Sequence, residues 1–223
     1  MSAEKPFRLR AGCVCLKEPN SYEILLVQSL KSRCSWAIPG GGWERGESII
    51  HCARRELMEE AGATLNITTC FGAFKRGSKV TVMFEGNVID CLEEWPEKSK
   101  RGRRWANIND AKSLLKSEYE VSLLDIYTQM RRGETYSGSI ITIEDKKCPA
   151  ESSNEDPLFP SNVSGRLTLY SFETTPAGRS EKESNKETIP ASMKEIDTFP
   201  IKSLTNQTFY DKVKKLSKQS KNK

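Results

Sequence analysis

The segment from Gly41 to Ala63, GGWERGESIIHCARRELMEEAGA, constrains the fold more than any other part of the chain. Ser48 is suited to cap a helix N-terminus, and Gly62 to end one as the residue just past its last turn. Between them Ile49, Ile50, Ala53, Leu57 and Ala61 recur at helical spacing and make one apolar stripe. Successive helical residues turn by about 100°, so Glu56, Glu59 and Glu60, at i, i+3 and i+4, share the opposite arc. Like charges so placed destabilise a helix by about 0.2–0.5 kcal/mol per pair, and no packing demand requires them. A hard divalent cation removes that repulsion by taking the oxygens as ligands. The glycine turn before the helix lets backbone approach a phosphate or a metal, and Arg55 can orient a neighbouring carboxylate through a forked pair. The plainer reading, an amphipathic helix with a solvated acidic face, fits most acidic helices. It does not account for the fixed spacing from Gly41 through Glu47 to Arg55.

Around this helix the pattern is that of an α/β domain. Leu9–Leu16 reads as a strand, and the turn Glu18-Pro19-Asn20-Ser21 leads to Glu23–Gln28, an apolar run suited to burial on both faces. A polar loop with Ser29, Lys31 and Arg33 precedes Trp36-Ala37-Ile38-Pro39 and the triple glycine Gly40-Gly41-Gly42. Thr64–Phe74 and Lys79–Ile89 read as strands joined by the loop Lys75-Arg76-Gly77-Ser78. Glu93–Arg104 is a charged loop. Trp105–Ile108 is expected to enter a helix capped by Asn109 or Asp110, and Tyr119–Arg131 to form a last helix. The sequence therefore divides into a domain at 7–132 and a low-complexity, mostly disordered tail at 133–223, rich in Ser, Thr, Pro, Lys and Glu. Two stretches of that tail could order on a partner: Arg166–Phe172, which alternates like a strand, and Phe209–Leu216, with a short helical pattern. Cutting the chain at Arg132 is expected to preserve hydrolysis of small substrates.

Composition removes several function classes. With 35 basic and 30 acidic side chains, net charge does not imply a nucleic-acid binder. Seven scattered cysteines without a C-x-x-C, and one histidine, argue against a zinc site and for reduced thiols in a cytoplasmic protein. No secretory pattern or apolar run of membrane-spanning length is evident, so no membrane partner is expected. The lysine-rich end from Lys212 is a candidate nuclear address or a plain solvated tail.

Gly41, Glu47, Arg55, Glu56, Leu57, Glu59, Glu60 and Gly62 fit the pattern G-x5-E-x7-R-E-U-x-E-E-x-G-U, with U a bulky apolar residue, and so resemble the Nudix box; Ala63 is a small final U. The resemblance implies an α/β/α sandwich with a mixed sheet and Mg²⁺- or Mn²⁺-dependent hydrolysis of a diphosphate. Within the superfamily, about Phe7 to Tyr127 looks most like the diphosphoinositol polyphosphate phosphohydrolases, which also cleave diadenosine polyphosphates. The supporting residues are Arg8–Cys15, the triple glycine, Leu92-Glu93-Glu94-Trp95 and the basic run before Trp105. The chain departs from that subfamily at Trp43-Glu44-Arg45-Gly46 and in the last helix, where Tyr119 falls near an expected basic contact.

By position, the resemblance implies that Glu56 and Glu60 hold the metal with the Gly40 carbonyl. Glu59 is the first candidate for general base, with Glu60 the alternative. Glu47 either pairs with Arg55 or binds a second ion. Arg8, Arg10, Ser29, Lys31, Gly40, Gly41, Gly42, Arg101 and Arg103 are the expected substrate contacts, and Lys75, Arg76 and Lys79 are further candidate cations. Two competing readings keep the fold: a decapping or other nucleotide hydrolase, with RNA as a less favoured partner, and a non-catalytic binding module. The latter is disfavoured because all four box glutamates are present.

Overall fold

The computed structural model describes residues 7–32, 34–133, 141–143, 158–160, 162–172 and 193–219. Its centre is a mixed sheet. Strand β1 (Arg8–Leu16) lies parallel to β6 (Lys79–Cys91), which forms a long antiparallel hairpin with β5 (Ala63–Arg76). Strand β2 (Glu23–Gln28) sits on the other side of β1 and alternates as its apolar run demands. Leu25 and Val27 enter one core, and Ile24 and Leu26 the other. Two short strands, β3 (Trp36–Ala37) and β4 (Gly40–Gly42), carry the chain past β2 and β1 into helix α1 (Ile49–Ala61).

The ends of α1 follow from its sequence. The Ser48 hydroxyl accepts from the His51 amide at 3.3 Å, and Gly62 stands at φ 60°, ψ 31°, a conformation nearly closed to residues with a Cβ. Ile49, Ile50, Ala53, Leu57 and Ala61 are buried against one face of the sheet, as their spacing requires. Helices α2 (Ile108–Leu114) and α3 (Glu118–Arg132) cover the other face, with Leu123, Leu124, Ile126 and Tyr127 fully buried. The expected α/β/α sandwich is what forms.

Two segments differ from the sequence reading. Arg103–Asn107 is strand β7, antiparallel to β2 from Glu23↔Asn107 to Val27↔Arg103. The following helix is capped by Asn107, whose side chain accepts from the Asn109 amide at 3.1 Å, not by Asn109 or Asp110. A five-residue strand is too short to announce itself by alternation, and its partner is distant in sequence.

The second difference lies beyond Arg132. Both orderable stretches of the expected tail are ordered, and the partner is the chain itself. Strand β9, after the two-residue β8 (Ile141–Thr142), spans Arg166–Phe172 and runs parallel to β5 at Ala73↔Leu169, Phe74↔Tyr170 and Lys75↔Ser171. Strand β10 (Met193–Pro200) pairs with β9, and helix α4 (Asn206–Gln219) packs Phe209 and Val213 into the α1 core. The Leu158 carbonyl accepts the Ile49 amide at 3.0 Å, satisfying one of the donors a helix N-terminus leaves free. The apolar core therefore continues past the expected boundary at Arg132. Sequence composition concealed this because the buried residues are sparse and separated by polar stretches, some of which lie outside the described residues.

Candidate active site

Strand β4 and helix α1 meet where Gly41 passes over Glu56. A Cβ at Gly41 would lie 1.9 Å from the Glu56 carboxylate, so only glycine allows the carboxylate to rest against the backbone. This contact is what fixes the spacing between the glycine and the helix. Next to it opens a cavity of about 490 Å³. It is lined by Gly40, Gly41, Gly42, Glu56, Glu60 and Arg101, and also by Arg10, Lys31, Arg76, Lys79, Tyr119 and Ser29; Arg10 donates to the Gly40 carbonyl at 2.7 Å.

Arg55 organises the α1 side. Its Nε and Nη2 donate to the two oxygens of Glu47 at 3.0 and 2.8 Å, and its Nη1 donates to Glu56 at 3.0 Å. Nη2 also reaches the Gly42 carbonyl at 2.8 Å, and Nη1 stands 3.5 Å from a Glu59 oxygen. These bonds to Glu47 first, then to Glu56, hold the Arg55 guanidinium far above the arginine range. Burial alone would raise the Glu47 carboxyl. The Arg55 hydrogen bonds and the Glu44 amide outweigh it, and the group stays below the usual range. Of the two roles expected for Glu47, the geometry realises the pair with Arg55; Glu47 does not line the cavity.

Glu60 is buried at 8% exposure. It accepts from the Gly40 amide at 2.9 Å and from Arg101 at 2.8 Å. Burial pushes its carboxyl up to about 7, against the Gly40 amide and Arg101, with Glu56 and Glu97 adding to the rise. Glu56 is also raised, by burial first and in part by Glu59. Among the described residues no three acidic, histidine or cysteine side chains stand close enough to hold a metal ion. The set is two carboxylates and a carbonyl, Glu56, Glu60 and Gly40, all lining the cavity. Glu56 accepts from Arg55, Glu60 from Arg101 and the Gly40 carbonyl from Arg10 at 2.7 Å, and three hard oxygens lining one cavity fit a divalent cation.

The expected substrate contacts separate. Arg10, Ser29, Lys31, the three glycines and Arg101 line the cavity; Arg8 is exposed outside it. Arg103 lies apart from them. Its guanidinium lies 4.4 Å over the Trp95 ring and donates to the Ala61 and Leu92 carbonyls, so it ties the end of α1 to the residue after β6 and does not line the cavity. Glu59, 45% exposed, stands beside Arg55 and does not itself line the cavity.

The sequence reading did not single out Thr81, Met83, Ser117 or Glu120, all of which line the cavity. It rated Arg76 and Lys79 only as two cations among several, although their signal was available. They flank the Gly77-Ser78 turn and so must face each other across the hairpin, as the register Arg76↔Lys79 bears out. Lys79 is held below the usual lysine value by partial burial, and then by the charges of Arg10, Lys31, Arg8 and Arg76.

The family model described as NUDIX domain matches residues 6–125. Mouse diphosphoinositol polyphosphate phosphohydrolase 3-alpha is 34% identical over 114 residues, covering 49% of this chain and 70% of that protein. Human diphosphoinositol polyphosphate phosphohydrolase 2 is 33% identical over 113 residues, covering 49% and 63%. A solved NUDIX hydrolase from Nitrosomonas europaea superposes with a TM-score of 0.50 at 20% identity, covering 59% of this chain and 76% of that one.

Proposed function

The chain belongs to the NUDIX family, a hydrolase of diphosphate bonds, and from that premise we propose that it cleaves diphosphoinositol polyphosphates, and diadenosine polyphosphates as a second class, with Mg²⁺ or Mn²⁺. The observation that carries the substrate class is the cationic side of the cavity. Arg76 and Lys79 stand directly opposite each other across β5 and β6, and Arg8 stands opposite Lys79 across β1 and β6. Like charges in such positions are unfavourable, and opposite charges there would stabilise the sheet. Arg76 and Lys79 line the cavity with Lys31 and with Arg10, which donates to the Gly40 carbonyl at 2.7 Å, and among the described residues these four have no carboxylate in ion-pair contact. A wall of this kind matches a ligand that brings more negative charge than one pyrophosphate. The relatives named for diphosphoinositol polyphosphates support the same reading.

The chain's own groups divide the work. Arg10, Lys31, Arg76 and Lys79 bind the phosphates and orient the scissile diphosphate toward α1. Arg55 fixes Glu56 against the Gly41 backbone. Glu59 is within reach of the same guanidinium and is solvent-accessible, and it takes the proton from the attacking water. A divalent cation held by Glu56, Glu60 and the Gly40 carbonyl would supply charge neutralisation at the reacting phosphate oxygens.

The test is a substrate panel with the full chain and Mg²⁺ or Mn²⁺: a diphosphoinositol polyphosphate, diadenosine hexaphosphate, capped RNA and ADP-ribose. The inositol pyrophosphate is expected to give the highest kcat/KM. A preference for ADP-ribose or capped RNA would refute the substrate class.

A further inference from the structure

Strand β9 reaches a cation that lines the cavity. Arg76 lies with its guanidinium 5.5 Å from the centre of the Tyr119 ring and donates to the Ser117 hydroxyl at 3.3 Å. Tyr119 is 8% exposed, and its hydroxyl donates to the Phe74 carbonyl at 3.2 Å. What holds the ring comes from β9. Phe172 meets Tyr119 edge-on, with centroids 5.6 Å apart and planes at 89°. Two residues back, Tyr170 stacks on Phe74 at 5.0 Å and 13°. A row of aromatic contacts thus runs from β9 to a cation lining the cavity. The family match ends at residue 125, so this support comes from a part of the chain outside it.

We propose that Phe172 is a positioning residue for polyphosphate: it fixes the Tyr119 ring so that Arg76 is held toward the cavity. The inference rests on the reading of the cationic wall as a polyphosphate site. Without the Phe172 edge, Tyr119 keeps its hydrogen bond to Phe74 but can tilt about it, and Arg76 loses the flat surface it lies on. Arg76 is exposed, and a long exposed side chain without such a surface samples many rotamers, so binding then has to order it.

The experiment measures binding of inorganic tripolyphosphate to the full chain by calorimetry, with no turnover involved. Phe172→Leu keeps an apolar side chain in the core without a ring edge, and Phe172→Tyr keeps the edge. Phe172→Leu is expected to weaken binding roughly five-fold, the size of one aromatic or cation–π contact, and Phe172→Tyr to restore it. In an Arg76→Ala background Phe172→Leu is expected to have no further effect, because the two act as one unit. Unchanged affinity in Phe172→Leu, additive losses in the double variant, or no binding of tripolyphosphate by the wild type would each overturn the proposal. A wild type that binds as described but cleaves no substrate of the panel would instead overturn the proposed function and leave Phe172 in this role.

Discussion

On the α1 side of the cavity the charged groups have partners within the protein. Arg55 uses its guanidinium on Glu47, Glu56 and the Gly42 carbonyl, and Arg101 meets both Glu60 and Glu97. Elsewhere in the cavity Lys31, Arg76 and Lys79 stand close to Arg10, which donates to the Gly40 carbonyl, and the half-buried Glu120 is not in ion-pair contact with any of the four among the described residues. The first group is pre-organised by its own hydrogen bonds, and on the proposed function it serves the reaction. The second lacks carboxylate partners among the described residues, and on the same proposal it serves the ligand. A site built this way separates turnover from substrate choice, and substitutions on the two walls should fall into different kinetic classes.

The largest effect should come from the α1 wall. Glu59→Gln is expected to lower kcat by about 10²- to 10⁴-fold, as for loss of a positioned acid–base group, with KM little changed. Steady-state kinetics on an inositol pyrophosphate checks it, and normal turnover would remove Glu59 from the mechanism.

Second in size is a pH effect on the same wall. The Glu60 carboxyl is raised from 4.5 to about 7 in the folded protein, so between those values the native state binds more protons than the unfolded chain. Stability without metal should therefore be highest near and below pH 4.5 as far as Glu60 is concerned. It should fall by on the order of 3 kcal/mol as pH rises to about 7. Added divalent cation should restore more at pH 8 than at pH 5, because only ionised Glu60 binds it. Thermal melts across this range, with and without Mg²⁺, read both parts. The slope should be absent in Glu60→Gln.

On the cationic wall, Lys79→Ala is expected to raise KM for the inositol pyrophosphate roughly ten-fold with kcat retained, the pattern of lost uniform binding. Its kcat/KM should also depend less on salt. The smallest functional effect should be at Arg103. Arg103→Ala should leave KM unchanged and lower stability by about 1–2 kcal/mol, the scale of hydrogen bonds from a charged donor.

Legibility in the sequence follows the same division. The box helix could be read to its ends because caps, stripe and acidic arc are local, and the fold class followed from patterns that each element carries within itself. The cationic wall could not be read whole. Arg10, Arg76 and Lys79 stand on different strands, brought together by the register of β1 with β6 and of β5 with β6, and Lys31 reaches them from the loop after β2. Arg103 looked like a substrate contact by position, but Trp95 lies under it. The C-terminal elements were hardest. Arg166–Phe172 was recognisable as strand-like, yet its partner β5 lies about ninety residues earlier, and composition between the two gave no sign of shared core. The cut at Arg132, expected from the sequence to keep small-substrate hydrolysis, falls before these elements. That cut would uncover the β5 edge and remove Leu167, Phe199 and Phe209 from the core.

The most direct test of the two-wall account is the ratio of kcat/KM for a diphosphoinositol polyphosphate to that for ADP-ribose, in the wild type and in an Arg76→Ala/Lys79→Ala double variant. The account predicts a wild-type ratio well above one that falls at least about ten-fold in the variant, with ADP-ribose turnover nearly unmoved. A ratio at or below one in the wild type, or one unchanged by the double substitution, would contradict it.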